Sequence, residues 1–348
     1  MRTLIIGGGL SGLVLAEALT AKDRDYILID ARNRLGGRIL TEYHADAGFD
    51  LGPAWFWQGQ PRIAALIARL GLRTFEQYGQ GDMLLEDAQG NVQRGRGFSL
   101  VEGSLRLTGG LGVLIQALRT RLPVQNLILS AAVTALTKTE AGITATLANG
   151  KILTADQIIL AMPPRLAAEI QFSPTLPDPA MAAMRSVKTW MAGQAKALAV
   201  YDQPVWREDG LSGDASSRHG PMVEIHDASP ATGGPYGLFG FIGVPPGGRG
   251  DVEALRHHCL AQLVRMFGAQ AAQPDHLFLK DWAVDRFTAL QADSEPLYAH
   301  PVYGMPNALT GLWAGKLQFA GSEVASQFGG YLEGALEAAE TTLLTMSI

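Results

Sequence analysis

The sequence predicts an α/β fold built from two domains. At about 100 to 200 residues per domain, a length of 348 residues suggests two of them. The hydrophobic fraction is 47% and the charged fraction 18%, which is ordinary for a globular protein with a large core. Strand, glycine turn and helix follow one another at residues 3–21 and again from residue 317, an order typical of a parallel sheet covered by helices.

The first of these units carries a G-x-G-x-x-G pattern. Gly7, Gly9 and Gly12 follow a predicted strand and lie at the start of a predicted helix. In this context Gly7 permits a tight turn, Gly9 lets a pyrophosphate approach the positive helix end, and Gly12 lets the helix pack closely on the strand. Asp30 ends the next predicted strand, where a carboxylate can accept hydrogen bonds from ribose hydroxyls. The unit therefore predicts a dinucleotide site.

The segment that follows offers groups for the rest of a dinucleotide. Gly36 and Gly37 give backbone freedom, and Arg38 supplies a guanidinium group suited to phosphate oxygens. Further on, the stretch DLGPAWFW combines a turn with aromatic surface on which a flat ring could lie. From these residues alone, core packing is the favoured interpretation of Trp55 and Trp57.

A single lysine interrupts the apolar stretch GQAKALAVYDQPVW. If this stretch is a strand, the period of two places Lys196 on the same face as Leu198 and Val200. Two interpretations are open. Lys196 is either a strand-end residue that reaches toward solvent, or part of a site that requires a cation or an amine.

Together, the glycine pattern, Asp30, the Gly-Gly-Arg triplet and the stretch FDLGPAWF resemble the flavin-containing amine oxidoreductases, the family of monoamine and polyamine oxidases. The resemblance implies a Rossmann-like FAD-binding domain and a second, smaller α+β substrate domain with a mixed sheet. Gln291 and Ala292 stand where monoamine oxidases carry the flavin-linking cysteine, so FAD is expected to bind non-covalently. The resemblance assigns these residues to FAD binding: Gly7, Gly9, Leu10, Ser11, Gly12, Asp30, Ala31, Arg32, Gly36, Gly37, Arg38, Gly52, Pro53, Ala54, Trp55, Val133, Trp282, Gly321, Ser322, Glu323, Gly330, Tyr331 and Leu332.

The resemblance also implies individual roles. Val133 is expected beside the adenine, Glu323 at the ribityl–phosphate region, and the backbone N–H of Leu332 at the edge of the flavin ring. Tyr331 is expected to face the substrate. Lys196 matches a lysine that the family holds near flavin N5 through a water, so Lys196 and Tyr331 are the predicted catalytic residues.

The implied activity is oxidation of a small primary or secondary amine to an imine, by hydride transfer to flavin N5. Dioxygen is the expected electron acceptor, giving hydrogen peroxide, although another acceptor is possible. Two alternatives are open. One is another FAD oxidoreductase of the superfamily, such as a desaturase or a renalase-like dihydropyridine oxidase, and the other is a redox-silent flavin-binding protein.

The sequence departs from the family in the substrate domain. Only about thirty residues separate the first FAD segment from RLTGGLG, where the oxidases carry a long helical insertion that roofs the substrate cavity. The site is therefore expected to be shallower and more open, or closed by a partner subunit. The expected division is residues 1–75, 106–185 and 288–348 for the FAD domain, and 76–105 and 186–287 for the substrate domain.

A second departure concerns the aromatic cage around the substrate. Only Tyr331 can be assigned to it, and Trp282, Phe287 and Tyr298 are the candidates for the opposite wall. Core packing is the favoured interpretation of Trp282.

Charge and composition limit the partners. The net charge of −5 gives no basic patch for nucleic acid or an anionic membrane. The single cysteine, Cys259, excludes an internal disulfide and a multi-cysteine metal site, so no metal is expected. No acidic pair for a polyamine is recognisable, and Asp227 and Asp285 are interpreted as solvated loop acids. No predicted segment would span a bilayer, and a cytoplasmic location is expected. The oligomeric state is not indicated.

Overall fold

A computed structural model describes residues 1–97, 101–295, 297 and 299–346. The strands are β1 (Thr3–Ile6), β2 (Tyr26–Ile29), β3 (Thr41–His44), β4 (Ala47–Asp50), β5 (Phe56–Trp57), β6 (Thr74–Glu76), β7 (Asp82–Glu86), β8 (Val92–Gly95), β9 (Ser104–Leu107), β10 (Leu127–Ile128), β11 (Val133–Thr139), β12 (Gly142–Leu147), β13 (Ile152–Ala155), β14 (Gln157–Leu160), β15 (Gln171–Ser173), β16 (Ala195–Tyr201), β17 (Leu211–Ser217), β18 (Met222–Asp227), β19 (Tyr236–Ile242), β20 (His276–Asp281) and β21 (Leu317–Phe319). The α-helices are α1 (Leu10–Ala21), α2 (Pro61–Arg69), α3 (Gly112–Arg119), α4 (Pro164–Ala167), α5 (Asp178–Ser186), α6 (Val205–Glu208), α7 (Val252–Phe267) and α8 (Leu332–Thr345).

Five strands form a parallel sheet in the order β10-β2-β1-β14-β21. Its central strand β1 is buried on both faces, as its uninterrupted apolar sequence predicts. On one face Ile5 packs with α1, α3 and α8, and on the other Leu4 and Ile6 pack against a four-stranded sheet, β13-β12-β11-β15. The predicted parallel sheet is thereby confirmed.

Helix α1 follows β1 with almost no connecting chain. Gly7 has a φ of +115°, a conformation that favours glycine. A Cβ atom on Gly12 would overlap the carbonyl oxygen of Gly7, so only glycine allows the helix to start this close to the strand. The pattern therefore has the local structure that the sequence predicts.

The second large sheet has seven strands in the order β20-β16-β19-β18-β17-β7-β8. Strands β17 and β7 run parallel and the other neighbours antiparallel, so the sheet is mixed, as predicted. Helix α7 covers one face, where Ala197 and Tyr201 of β16 join its core. Leu198 and Val200 lie on the opposite face with Phe49 of β4, and the alternation places Lys196 on that face too, as the period of two predicts.

The shortened region contributes strands instead of a helical roof. β7 and β8 extend the seven-stranded sheet, and β6 pairs with β9 in a small sheet that also contains β5. The predicted domain boundaries stay a prediction. Among the residues that the structure describes, no helix has the length and apolar character needed to cross a membrane.

Candidate active site

A long cleft opens at the carboxyl ends of β1, β2, β14 and β21 and extends to the seven-stranded sheet. It encloses about 1520 Å³ of empty space, part of which is open to solvent. The carboxyl edge of a parallel sheet is where open α/β folds bind ligands. Most predicted site residues line this cleft: Gly7, Gly9, Leu10, Ser11, Asp30, Arg32, Gly36, Gly37, Arg38, Gly52, Pro53, Ala54, Trp55, Lys196, Trp282, Gly321, Ser322, Gly330, Tyr331 and Leu332.

Four predicted cofactor residues do not line the cleft. Gly12 lies beneath the glycine turn, and Glu323 is wholly buried behind Arg38. Val133 starts β11 and packs against the core between the parallel and four-stranded sheets. Ala31 is partly buried between two residues that do line the cleft. Direct contact with a cofactor stays a prediction for all four.

Asp30 organises the dinucleotide end. Its two carboxylate oxygens accept hydrogen bonds from the backbone N–H groups of Gly8 (2.8 Å) and Arg32 (2.7 Å). Burial raises the pKa of Asp30, and these hydrogen bonds oppose the rise. Each carboxylate oxygen has a further lone pair, so Asp30 can still accept a hydroxyl from a ribose.

Arg38, which is partly exposed and lines the cleft, pairs with the fully buried Glu323. Arg38 Nη1 lies 2.6 Å from Glu323 Oε1, while Arg38 Nη2 donates a hydrogen bond of 3.1 Å to Ser322 Oγ. Arg38 and Glu323 therefore form an ion pair. Both Glu323 oxygens are buried and accept no hydrogen bond from the described residues. Since buried carboxylates normally have donors, this arrangement fits a ligand that supplies hydroxyl groups.

Lys196 is buried in the far wall of the cleft. Its side chain ends 2.6 Å from the carbonyl oxygen of Gly52, to which it donates a hydrogen bond. Nζ also lies 4.7 Å from the ring centre of Phe239, 4.8 Å from Phe241 and 5.6 Å from Trp55. The residue is only 5% exposed, so the interpretation of Lys196 as a side chain reaching to solvent is wrong.

The protonation of Lys196 is finely balanced. Burial lowers its pKa to about 7; the charge of Asp50 partly offsets this effect and Arg106 adds to it. Burial also raises the pKa of Asp50 to about 6, although Thr41 Oγ1 and the backbone N–H of Leu111 donate hydrogen bonds to it. At neutral pH Lys196 therefore exchanges readily between its charged and neutral forms.

Aromatic side chains surround the opening of the cleft. Tyr331 is 37% exposed and stacks on His300, with ring centres 4.9 Å apart and planes 12° apart. Trp282 and Phe287 also line the cleft, and the indole N–H of Trp282 donates a hydrogen bond of 2.9 Å to Leu51. Trp282 thus has both predicted roles, core packing and cleft wall. Tyr298 lies outside the described residues.

Sequence reasoning missed several lining residues. Trp190 lines the cleft 4.8 Å from the ring of His300, and Phe241 lines it because β19 pairs Phe241 directly with Lys196. Gln60 and Gln194 line it as well. Trp190 could have been suspected from its position shortly before β16, whereas Phe241 depends on a strand pairing that the sequence does not display.

The prediction that Asp227 and Asp285 are solvated loop acids is wrong. Asp227 is fully buried at the end of β18, where Arg207 Nε donates to it over 2.8 Å. Asp285 is largely buried and pairs with Arg32 at 2.6 Å and Lys280 at 2.9 Å. Neither residue lines the cleft. Among the described residues, no group of three or more His, Cys, Asp or Glu side chains is placed to hold a metal ion.

The ring of a buried histidine, His226, packs against the ring of Trp55. His226 Nδ1 lies 2.6 Å from Asp214 Oδ1, Nε2 lies 2.5 Å from Glu224 Oε1, and the ring centre is 5.6 Å from that of Trp55. Burial alone would lower the pKa of His226, but the hydrogen bonds and charges of the two carboxylates outweigh it and raise the pKa. Because both ring nitrogens face carboxylate oxygens, this arrangement favours the charged form of His226.

We expect His226→Leu to destabilise the fold by about 3 kcal/mol at pH 6, because it leaves two largely buried carboxylates without their cation. The pKa of His226 is higher in the folded state than in the unfolded state, where it is about 6.5. The resulting stabilisation is complete below about pH 6.5 and is lost as pH rises through the pKa of the folded state. The loss should therefore be smaller at pH 9. Urea unfolding at both pH values measures it, with the exposed His258→Leu as control. A loss of equal size at both pH values would contradict a charged His226.

The model of the flavin containing amine oxidoreductase family matches residues 82–342, well over half of the chain. The protein belongs to this family. A second model, the NAD(P)-binding Rossmann-like domain, matches residues 5–70. As a family member the protein is a flavin-dependent oxidoreductase, and the resemblance seen in the sequence is confirmed.

This flavin-containing amine oxidoreductase is also similar to individual proteins and solved structures. The protein named probable flavin-containing monoamine oxidase A of Dictyostelium discoideum is 27% identical over 441 residues, covering 96% of this chain and 94% of the relative. The structure of a putrescine oxidase bound to putrescine matches with a TM-score of 0.82 at 20% identity, covering 99% of this chain and 98% of the other. Cyclohexylamine oxidase from Brevibacterium oxydans IH-35A matches with a TM-score of 0.81 at 21% identity and the same coverage. At these identities the structures establish the fold alone.

Proposed function

We propose that this oxidoreductase binds FAD non-covalently and oxidises small primary or secondary amines to imines, with dioxygen as the electron acceptor. The observation that carries the proposal is Lys196, a buried lysine with a pKa of about 7 in the wall of a cleft built for a dinucleotide. A cytoplasmic location is also part of the proposal.

The cofactor would lie along the carboxyl edge of the parallel sheet. Gly9 has open space above it at the N-terminus of α1, which suits a pyrophosphate, and Asp30 suits a ribose hydroxyl. Arg38 and the donor-free Glu323 suit the phosphate and the hydroxyls between the two ends of FAD. Helix α8 begins at Leu332, so the first N–H groups of this helix lack intrahelical acceptors and can meet an electron-rich ring edge.

When bound, FAD would supply the acceptor for a hydride from the amine, which carries two electrons, and would supply a route for those two electrons to dioxygen. The residues of the chain set the protonation of the reacting groups. A substrate amine must be neutral for its lone pair to assist oxidation. The charged form of Lys196 disfavours a second cation nearby, so it lowers the pKa of an amine bound in the cleft. Lys196 Nζ can also hold or release a proton near neutral pH.

The test is anaerobic mixing of the purified, flavin-loaded protein with an amine panel, followed by admission of air. We expect an amine to bleach the visible flavin band, and air to restore it with hydrogen peroxide as product. Bleaching by dihydronicotinamides alone would favour the dihydropyridine oxidase alternative. A flavin band that no amine and no dihydronicotinamide changes would favour a redox-silent protein, and either result would overturn the proposal.

A further inference from the structure

We propose that the substrates are apolar monoamines and that diamines and polyamines are excluded; this deepens the proposed amine oxidation and rests on it. The cleft near Lys196 has aromatic walls, formed by Trp55, Trp190, Phe241 and Trp282. Such walls bind the hydrocarbon part of an amine through apolar contact and ring faces.

The described lining of the cleft contains a single carboxylate, that of Asp30. Asp30 lies at the dinucleotide end, and both its oxygens are bound by backbone N–H groups. Three acids near lining residues in sequence have cationic partners of their own: Asp281 pairs with Arg249 at 2.9 Å, Asp285 pairs with Arg32 and Lys280, and Glu323, beside Ser322, pairs with Arg38 at 2.6 Å. A second ammonium group in the cleft would find no free counter-ion among the described residues.

One of the two glutamines in the lining, Gln60, supports this argument, whereas Gln194 donates through Nε2 to the carbonyl oxygen of Ile242 over 3.3 Å and keeps its amide oxygen as an acceptor. Gln60 is 5% exposed, and its Oε1 already accepts a hydrogen bond of 3.1 Å from the backbone N–H of Trp57. Its Nε2 has no acceptor among the described residues, so Gln60 presents a donor to the cleft. An ammonium group cannot pair with a donor, whereas an ether, hydroxyl or carbonyl oxygen on a substrate could. A second cation would also be repelled by Lys196.

The missing counter-ion affects diamines and monoamines differently. A diamine whose distal amine stays charged must leave that charge desolvated and without a carboxylate partner, and attraction to aromatic ring faces offsets only part of this cost. A monoamine of the same length incurs no such cost. The inference therefore concerns the distal group of the substrate and not the oxidised amine itself.

The test compares butylamine with putrescine, which differ by one amine group, in anaerobic flavin bleaching at concentrations below saturation. We expect butylamine to bleach the flavin at least about 100-fold faster, with benzylamine and cyclohexylamine also active. Putrescine equal to or faster than butylamine would overturn the inference and leave amine oxidation standing. Silence of every amine, with bleaching by dihydronicotinamide, would instead overturn the proposed function and the inference with it.

A pair of variants tests the physical cause. Met191 lines the cleft, is 39% exposed and has a φ of +61°, a conformation that Asp and Asn tolerate better than most residues. We expect Met191→Asp to raise the putrescine rate at least about tenfold, because it supplies a counter-ion. Met191→Asn has nearly the same shape and should leave the rate low. An equal rise in both variants, or none in Met191→Asp, would overturn the missing carboxylate as the cause of exclusion.

Discussion

Lys196→Met is expected to retain bound flavin and to slow flavin reduction, reoxidation or both by about 100-fold or more. Among the described residues, Lys196 is the only cation in the wall of the cleft that faces Phe241 and Trp55. Methionine fills a similar volume among these aromatic rings and removes the charge and the titrating proton. Rapid mixing with a substrate amine, and then with oxygenated buffer, measures the two rates separately.

The control for this variant is Lys188→Met, which removes an exposed lysine eight residues earlier. It should have wild-type rates. If Lys196→Met also has wild-type rates in both half-reactions while flavin remains bound, Lys196 has no part in the chemistry.

The same variant should be more stable than the wild type below pH 7. Burial lowers the pKa of Lys196 from 10.5 to about 7, so between these values the folded state binds fewer protons than the unfolded state. Stability therefore rises with pH across this window in the wild type. Removing the lysine should stabilise the fold by roughly 2 to 5 kcal/mol at pH 6, and by less as pH approaches 10. Urea unfolding at several pH values measures this gain in the free energy of unfolding. The gain in Lys196→Met and the loss expected in His226→Leu both become smaller as pH rises, although one variant is stabilised and the other destabilised.

Glu323→Gln is expected to weaken flavin binding by about 100-fold. The carboxylate is fully buried, has no hydrogen-bond donor among the described residues, and lies 2.6 Å from Arg38. A hydroxyl that donates to a buried carboxylate makes a charge-assisted hydrogen bond, which is worth about 1.5 to 3 kcal/mol. Glutamine keeps the shape and loses the charge, and it leaves Arg38 without its counter-ion.

Fluorescence titration of the apoprotein with FAD measures this loss. Glu340→Gln is a suitable control, since Glu340 is an exposed acid on α8 whose ion pair with Arg62 lies on the surface. Equal FAD affinity in both variants and the wild type would show that Glu323 has only a structural role.

The dinucleotide end could be predicted from the sequence because its information is local. Gly7, Gly9 and Gly12 lie within one turn and helix start, and Asp30 follows the adjacent strand, so spacing alone brings them together. The face of Lys196 was predictable for the same reason, since alternation along one strand is a local property.

Properties that depend on distant residues could not be predicted in this way. The burial of Lys196 depends on Phe241, which lies on β19, and on Gly52, which follows β4. The burial of Asp227 and Asp285 could not be predicted, because the sequence does not show which cations contact them. Arg32 is far from Asp285 in the chain, and Arg207 reaches Asp227 only because the chain folds back on itself. A polar residue in a loop-like context looks solvated until its partner is known.

The parallel sheet draws its strands from nearly the whole length of the chain, with β1 near one end and β21 near the other. The hydroxyl of Ser11 donates to the carbonyl of Ala320 over 2.5 Å, so the glycine turn is secured by residues made some three hundred positions later. Contacts of such high sequence separation slow folding. During synthesis the parallel sheet cannot be completed, and the nucleotide pocket cannot form, until the segment from Leu317 has emerged from the ribosome. We therefore expect a nascent chain that is stalled before Leu317 to hold no flavin.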